Sequence, residues 1–269
     1  MLKLAKRYHI DVYQAVTWNY SMAVFLSWFF LRPDLHHISG APFLSYTVLA
    51  LLLPSLFIIL ATSVRLSGIV RTDVAQRLSL FIPLIASFFL FDERLTAWKA
   101  VGILLGFTAI LCSIPWQKKG ESKPAAGNAW VYLLVVFAGM GFIDVLFKEI
   151  ATLTVVNYNT SLFIVFVLAF VFALAGLVFQ VITKKMRFSW PHIAIGWVLG
   201  IVNFGNILFY LKAHKALAGQ PSTVFSAMNI GVIVIGALTG LIIFKEKLSL
   251  LNKAGIVIAI IAIVIIAKS

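Results

Sequence analysis

Nine apolar runs, separated by short cationic links, divide this chain from one end to the other. They fall at residues 14–31, 43–63, 74–91, 97–115, 129–147, 157–180, 191–211, 221–244 and 249–267. A helix needs about 20 apolar residues to cross the hydrocarbon core of a bilayer. Inside lipid the backbone must satisfy its own hydrogen bonds, which leaves only helices and closed barrels. Barrel strands would be shorter and would alternate apolar with polar residues. The expected fold is therefore an all-α integral membrane protein of about nine transmembrane helices. Composition agrees: 62% of the 269 residues are hydrophobic and 12% charged, against about 25% charged in a soluble domain.

The formal net charge of +13 does not point to nucleic acid, because the Lys and Arg residues sit mostly in the links. That is the topology signal of a polytopic membrane protein. The links at 1–13, 64–77, 116–128, 181–190 and 245–253 carry 15 of the 22 Lys and Arg residues. The positive-inside rule puts them, and the N-terminus as given, in the cytoplasm, with the C-terminus outside. Cys112 is the single cysteine, so no intramolecular disulfide forms. The first apolar run does not end in a small-residue cleavage site, so no cleaved signal peptide is read.

The chain repeats itself. Phe91-Asp-Glu-Arg-Leu-Thr, followed by Gly102, recurs as Phe244-Lys-Glu-Lys-Leu-Ser, followed by Gly255. Leu66-Ser-Gly68 is matched by Leu217-Ala-Gly219. The runs 14–31, 43–63, 74–91 and 97–115 thus correspond to 157–180, 191–211, 221–244 and 249–267, and 129–147 is left without a counterpart. The expected division is a first repeat of four helices at 1–116, a linking loop at 117–128 and a second repeat of five helices at 129–269. Leu2-Lys3 aligns with Phe147-Lys148 at the end of the unpartnered run, so a first helix is expected to be absent from the first repeat. Five helices separate the two Phe-x-Glu-x-Leu links. An odd number puts them on opposite membrane faces, so the halves are expected to be inverted repeats, the architecture of many secondary transporters.

With these motifs the chain resembles the drug/metabolite transporter superfamily, specifically the EamA-like ten-helix carriers. The resemblance rests on Phe91-x-Glu93-x-Leu95-Thr96 with Gly102, and on Phe244-x-Glu246-x-Leu248-Ser249 with Gly255. It rests also on Ala75-Gln-Arg-Leu-Ser-Leu-Phe-Ile-Pro83 and on the opening Leu2-Lys-Leu-Ala-Lys-Arg-Tyr-His-Ile-Asp11. It implies two inverted five-helix repeats around a central cavity, and export, less often uptake, of amino-acid-like or related metabolites. It also implies that both termini are cytoplasmic, against the charge count.

Candidate site residues follow from the cost of polar groups in lipid, which turns them toward the protein interior. In 191–211, Gly196, Gly200, Asn203, Asn206 and Tyr210 recur at steps of four, three, three and four, as on one helix face. They read either as a solute-binding wall or as close packing through the glycines, with the amides bonded across helices. In 221–244, Ser222, Ser226 and Asn229 share a face with Gly236 and Gly240, and the counterpart 74–91 offers Gln76, Ser79, Pro83 and Ser87. Asn229 and Gln76 are the favoured pair across the expected pseudo-twofold axis. Gly236/Gly240 and Gly102/Gly106 read as packing seams.

Arg77 is a candidate for holding a substrate carboxylate or phosphate, or else a snorkelling residue paired with Asp73. Asp144 is a possible proton-coupling acid, or the partner of Lys148 four residues on. Glu93 and Glu246 read as caps at Thr96 and Ser249, or as neutralising Arg94 and Lys247. His36-His37 has no third ligand within reach, so no metal site is expected. Runs 157–180 and 249–267, apolar all round past their first turn, should face lipid.

There is no nucleotide loop, nucleophilic triad or zinc motif, so an enzyme is not expected and no cofactor is implied. The expected protein is a secondary transporter of a small organic metabolite, working by alternating access in the bacterial inner membrane. Its expected partners are the bilayer and the solute, with a homodimer left open. The rival reading is a non-transporting or degenerate membrane subunit truncated at its first helix.

Overall fold

The computed structural model describes residues 11–36, 38–113, 129–183, 188–242 and 250–268. The opening residues 2–10, His37, the loop 117–128 and the second link at 244–249, with Glu246, lie outside the described residues. Among the described residues ten helices follow one another: α1 Val12–Leu31, α2 Phe43–Ser67, α3 Ile69–Leu78, α4 Phe81–Phe89, α5 Ala97–Ser113, α6 Ala129–Thr152, α7 Tyr158–Ile182, α8 Pro191–Ala216, α9 Pro221–Ile242 and α10 Leu250–Lys268. There is no strand among the described residues. Four of the helices, α2, α6, α7 and α8, are long and apolar enough to cross a membrane. Shorter apolar stretches lie in α5 and α10.

Local chemistry sets the ends. Asp11 caps α1, its carboxylate accepting the Gln14 N–H at 3.0 Å, and Arg32 closes the helix at a φ of 46°. Asn157 caps α7. Gly68, at a φ of 86°, makes the turn that separates α2 from α3; a side chain there would be strained.

The expected continuous run 74–91 is two helices. Pro83 has no N–H to offer the carbonyl of Ser79. Ser79 instead accepts from the Ile82 N–H at 3.0 Å, and the Leu80 N–H turns back to Arg77 at 3.3 Å. The chain therefore breaks at Ser79–Leu80, and the helical turns before the break begin at Ile69 instead of residue 74. Gly141 of α6 lies against this break: a Cβ there would stand 2.8 Å from the Ser79 carbonyl and 2.6 Å from Ile82 Cβ.

The chain forms two compact units, each drawing on both halves of the sequence. One comprises Met1–Thr62 and Leu146–Lys215, the other Ser63–Val145 and Ala216–Ser269. In the first unit α1 packs along α7. Thr17, near the start of α1, donates to the carbonyl of Ala173 at 3.2 Å, while Asn159, at the start of α7, donates to that of Leu31 at 3.3 Å. The two helices therefore run antiparallel.

In the second unit α5 packs along α10, and α9 packs against α4, α5 and α10. Gly102, early in α5, meets Ile266 in the last turn of α10, so these helices are antiparallel too. Ala109, Ile230, Ala259, Ala262 and Ile266 form an apolar core there. The helix 157–180 expected to face lipid does so on one side only: α7 exposes Val171, Val178, Phe179 and Ile182 but buries Leu162, Val165, Phe166 and Ala169.

Candidate functional site

In the first unit, α8 carries a buried face of Gly196, Gly200, Ile207, Tyr210 and His214. Asn203, half-buried, lies on it as well. Asn206 does not, and stands exposed. At about 100° per residue, Asn206 lies some 80° around the helix from Gly196, whereas Ile207 lies within about 20°.

The glycines let α1 approach α8 at backbone distance. A Cβ at Gly196 would lie 2.5 Å from Trp18 Cβ and 2.8 Å from the Ala15 carbonyl, and one at Gly200 would lie 2.6 Å from the Asn19 carbonyl. Both contacts advance along the two chains together, so α1 and α8 run parallel here.

The two helices carry an unusual set of buried polar atoms. Asn19 and Tyr20 are both 0% exposed. Neither amide atom of Asn19, nor the Tyr20 hydroxyl, nor the Trp18 indole N–H, nor Asn203 Nδ2 has a hydrogen-bond partner in the structure. Each such atom costs about 1–3 kcal/mol when stripped of water, so native structures leave few of them. Neighbouring polar groups show the contrast: Gln14 accepts from the Ser189 N–H at 2.9 Å, and Tyr46 and Ser161 share a bond of 2.6 Å.

Further along α8, Tyr210 meets Phe147 edge-on at 6.1 Å and His214 at 4.6 Å. Lys148 is buried, at 2% exposure. The seam therefore continues into a region of aromatic and basic side chains.

The remaining sequence candidates lie in the second unit. Gln76 is half-buried just before the α3–α4 break. Arg77 bonds Asp73 through Nε at 2.7 Å, one turn back on its own helix; its Nη1 is buried and unpartnered. Ser226 is buried, with an unpartnered hydroxyl. Asn229, paired with Gln76 in expectation, spends an amide hydrogen on the carbonyl of Phe225 at 3.0 Å. Asp144 is half-buried on α6.

The same unit contains a charged clasp. Glu93 and Lys99 are both buried and joined at 2.8 Å. The other contacts of Glu93 are the Ser222 N–H and hydroxyl, each at 2.7 Å. The carboxylate thus caps α9 from a distant segment, where the helix dipole favours negative charge. Thr96 caps α5 by itself, accepting the Lys99 N–H at 3.1 Å. Glu93 therefore neutralises Lys99, not Arg94, which is exposed. The cause is local: Asp92 takes a left-handed φ of 52°, and the Glu93 N–H returns to the Ser87 carbonyl at 3.0 Å, which turns the chain back at the end of α4.

The sequence pattern does not mark Asn19 and Tyr20 as site residues. The signal was present, because Thr17, Asn19, Tyr20 and Ser21 interrupt an apolar run, but they form no stripe at helical spacing.

No family model matches this chain. A protein of Haemophilus influenzae (strain ATCC 51907 / DSM 11121 / KW20 / Rd), described as uncharacterized, is 39% identical over 272 residues, spanning 98% of this chain and 91% of that one. A solved crystal structure resembles this chain with a TM-score of 0.71 at 14% identity, over 94% of this chain and 85% of its own; that likeness is one of fold.

Proposed function

We propose that this chain, which belongs to the same family as the uncharacterized Haemophilus influenzae protein, is a secondary carrier of a small organic metabolite. The observation that carries the reading is the pairing of counterpart helices. The first-half helices α1 and α5 lie along their second-half counterparts α7 and α10, and both pairs run antiparallel. Inversion of one repeat relative to the other produces this arrangement, and inverted repeats are the frame of many carriers that work by alternating access. The break at Ser79–Leu80 supports it too, since interrupted helices recur at transporter sites. The sequence resemblance to EamA-like carriers points the same way, toward amino-acid-like solutes, export and a bacterial inner membrane.

Flux is the test. The purified chain in liposomes is expected to move solute saturably, with a substrate found by screening metabolite efflux from cells that overproduce it. Asn229→Ala is expected to reduce that flux. Absence of saturable flux for every efflux hit would refute the carrier reading, and equal flux in both proteins would remove Asn229 from the site.

A further inference from the structure

We propose that the α1–α8 seam is a solute-recognition site, with Asn19 as its anchor, and that it takes a carboxamide: a neutral group that donates and accepts hydrogen bonds side by side. This deepens the carrier reading and rests on it. The chemistry comes from the anchor. A side-chain amide presents one C=O acceptor and an N–H donor pair in one plane, and its complement is a group with the reverse order, as another carboxamide has.

At Asn19 both halves of the amide are unused, although the residue is 0% exposed. The Tyr20 hydroxyl and Asn203 Nδ2, also unpartnered, add a donor-acceptor and a donor on the two helices that meet here. A site built to hydrogen-bond its ligand leaves such groups orphaned when empty, and that same cost makes it reject analogues lacking the matching atoms. The amide is sealed in this conformation, so the solute reaches it as α1 parts from α8. The contact at Gly196 and Gly200 suits such parting, because at these two positions α8 places no side chain between the helices.

The probes are L-glutamine, L-asparagine and acetamide, with L-glutamate, L-aspartate and acetate as partners in which a charged carboxylate oxygen replaces the amide nitrogen. Ligand that binds the folded state raises the melting midpoint. The full chain in lipid nanodiscs is expected to show a higher midpoint with at least one carboxamide and no comparable shift with its acid. Asn19→Leu, which keeps the bulk, and Asn19→Asp, which removes the donor pair, are each expected to weaken apparent affinity at least tenfold. Arg94→Gln, at an exposed residue outside the seam, is expected to keep the shift.

A wild-type protein that no carboxamide shifts, or an Asn19→Leu protein that folds cooperatively and shifts as before, overturns the proposal. So does an Asn19→Leu protein that is merely more stable with unchanged flux, which would mean that the orphaned amide holds water. Flux separates the two readings. Saturable flux untouched by Asn19→Leu leaves the carrier standing and removes this site, whereas an amide-specific shift with no flux does the reverse.

Discussion

Replacing Glu93 by Ala should be among the more damaging single changes in this chain. It removes the acceptor for three donors at once: Lys99 Nζ, the Ser222 N–H and the Ser222 hydroxyl. Lys99 is 3% exposed, so its ammonium is left buried without its carboxylate partner. Breaking a buried pair on one side costs about 3–5 kcal/mol, which for a chain of this size lowers the melting midpoint by roughly 6–20 °C. Lys99→Met should cost less, because the carboxylate it leaves behind still accepts twice from Ser222 and still faces a helix N-terminus.

The double change Glu93→Leu/Lys99→Met should be milder than Glu93→Ala. It leaves no uncompensated charge, and what remains lost is the cap of α9, about 1 kcal/mol. Thermal melts of the four purified proteins in one detergent, followed by circular dichroism, give the order directly. The expected ranking, from most to least stable, is wild type, double variant, Lys99→Met and Glu93→Ala. A Glu93→Ala protein that melts with wild type, or a double variant as unstable as the two single losses summed, would refute the clasp as a coupled unit.

The glycine seam makes a second prediction. Gly200→Ala places a methyl group 2.6 Å from the Asn19 carbonyl, a backbone atom that cannot swing aside, and should cost about 1–3 kcal/mol. Gly205→Ala meets nothing within 4 Å and should be neutral or up to about 1 kcal/mol stabilising; parallel melts distinguish them. Tyr46→Phe removes the 2.6 Å bond to Ser161 and should cost about 0.5–1.5 kcal/mol. Ser161 keeps its longer bond to the Asn157 carbonyl, so a double-mutant cycle with Ser161→Ala should show positive coupling.

The apolar runs were legible because lipid imposes a length and forbids most alternatives, and most helix positions follow from them. The break at Ser79–Leu80 was not, because hydropathy does not register the one missing N–H of Pro83. The role of Glu93 was half legible. Its repeat partner marks it as structural, yet spacing offers only a cap at Thr96 or the neighbour Arg94, while Ser222 lies 129 positions away. Asn206 was misplaced by a stripe that tolerated three steps of drift around the helix. Asn19 was passed over because a lone amide makes no periodicity; only burial shows that it is unsatisfied.

Two of the glycine contacts that the fold uses are unlike in chemistry, and the difference bears on which helices could part. Gly102 and Gly106 receive Ile266 and Ile230, apolar side chains seated against glycine in a core of Ala109, Ala259 and Ala262. Ile266 belongs to α10 and Ile230 to α9, and the cluster is apolar, so parting α5 from α10 relieves no unsatisfied polar group in it. Gly196 and Gly200 receive backbone carbonyls of α1 as well as the Cβ atoms of Trp18 and Met22, and α1 carries there an amide and a hydroxyl that the packing leaves unsatisfied. At about 1–3 kcal/mol for each such group, the closed seam carries several kcal/mol of cost that water or solute would relieve on opening. That is the order of free energy that moves a two-state equilibrium from one side to the other. If alternating access operates in this chain, α1 against α8 is the contact that gives way, and α5 with α10 is the strut that holds.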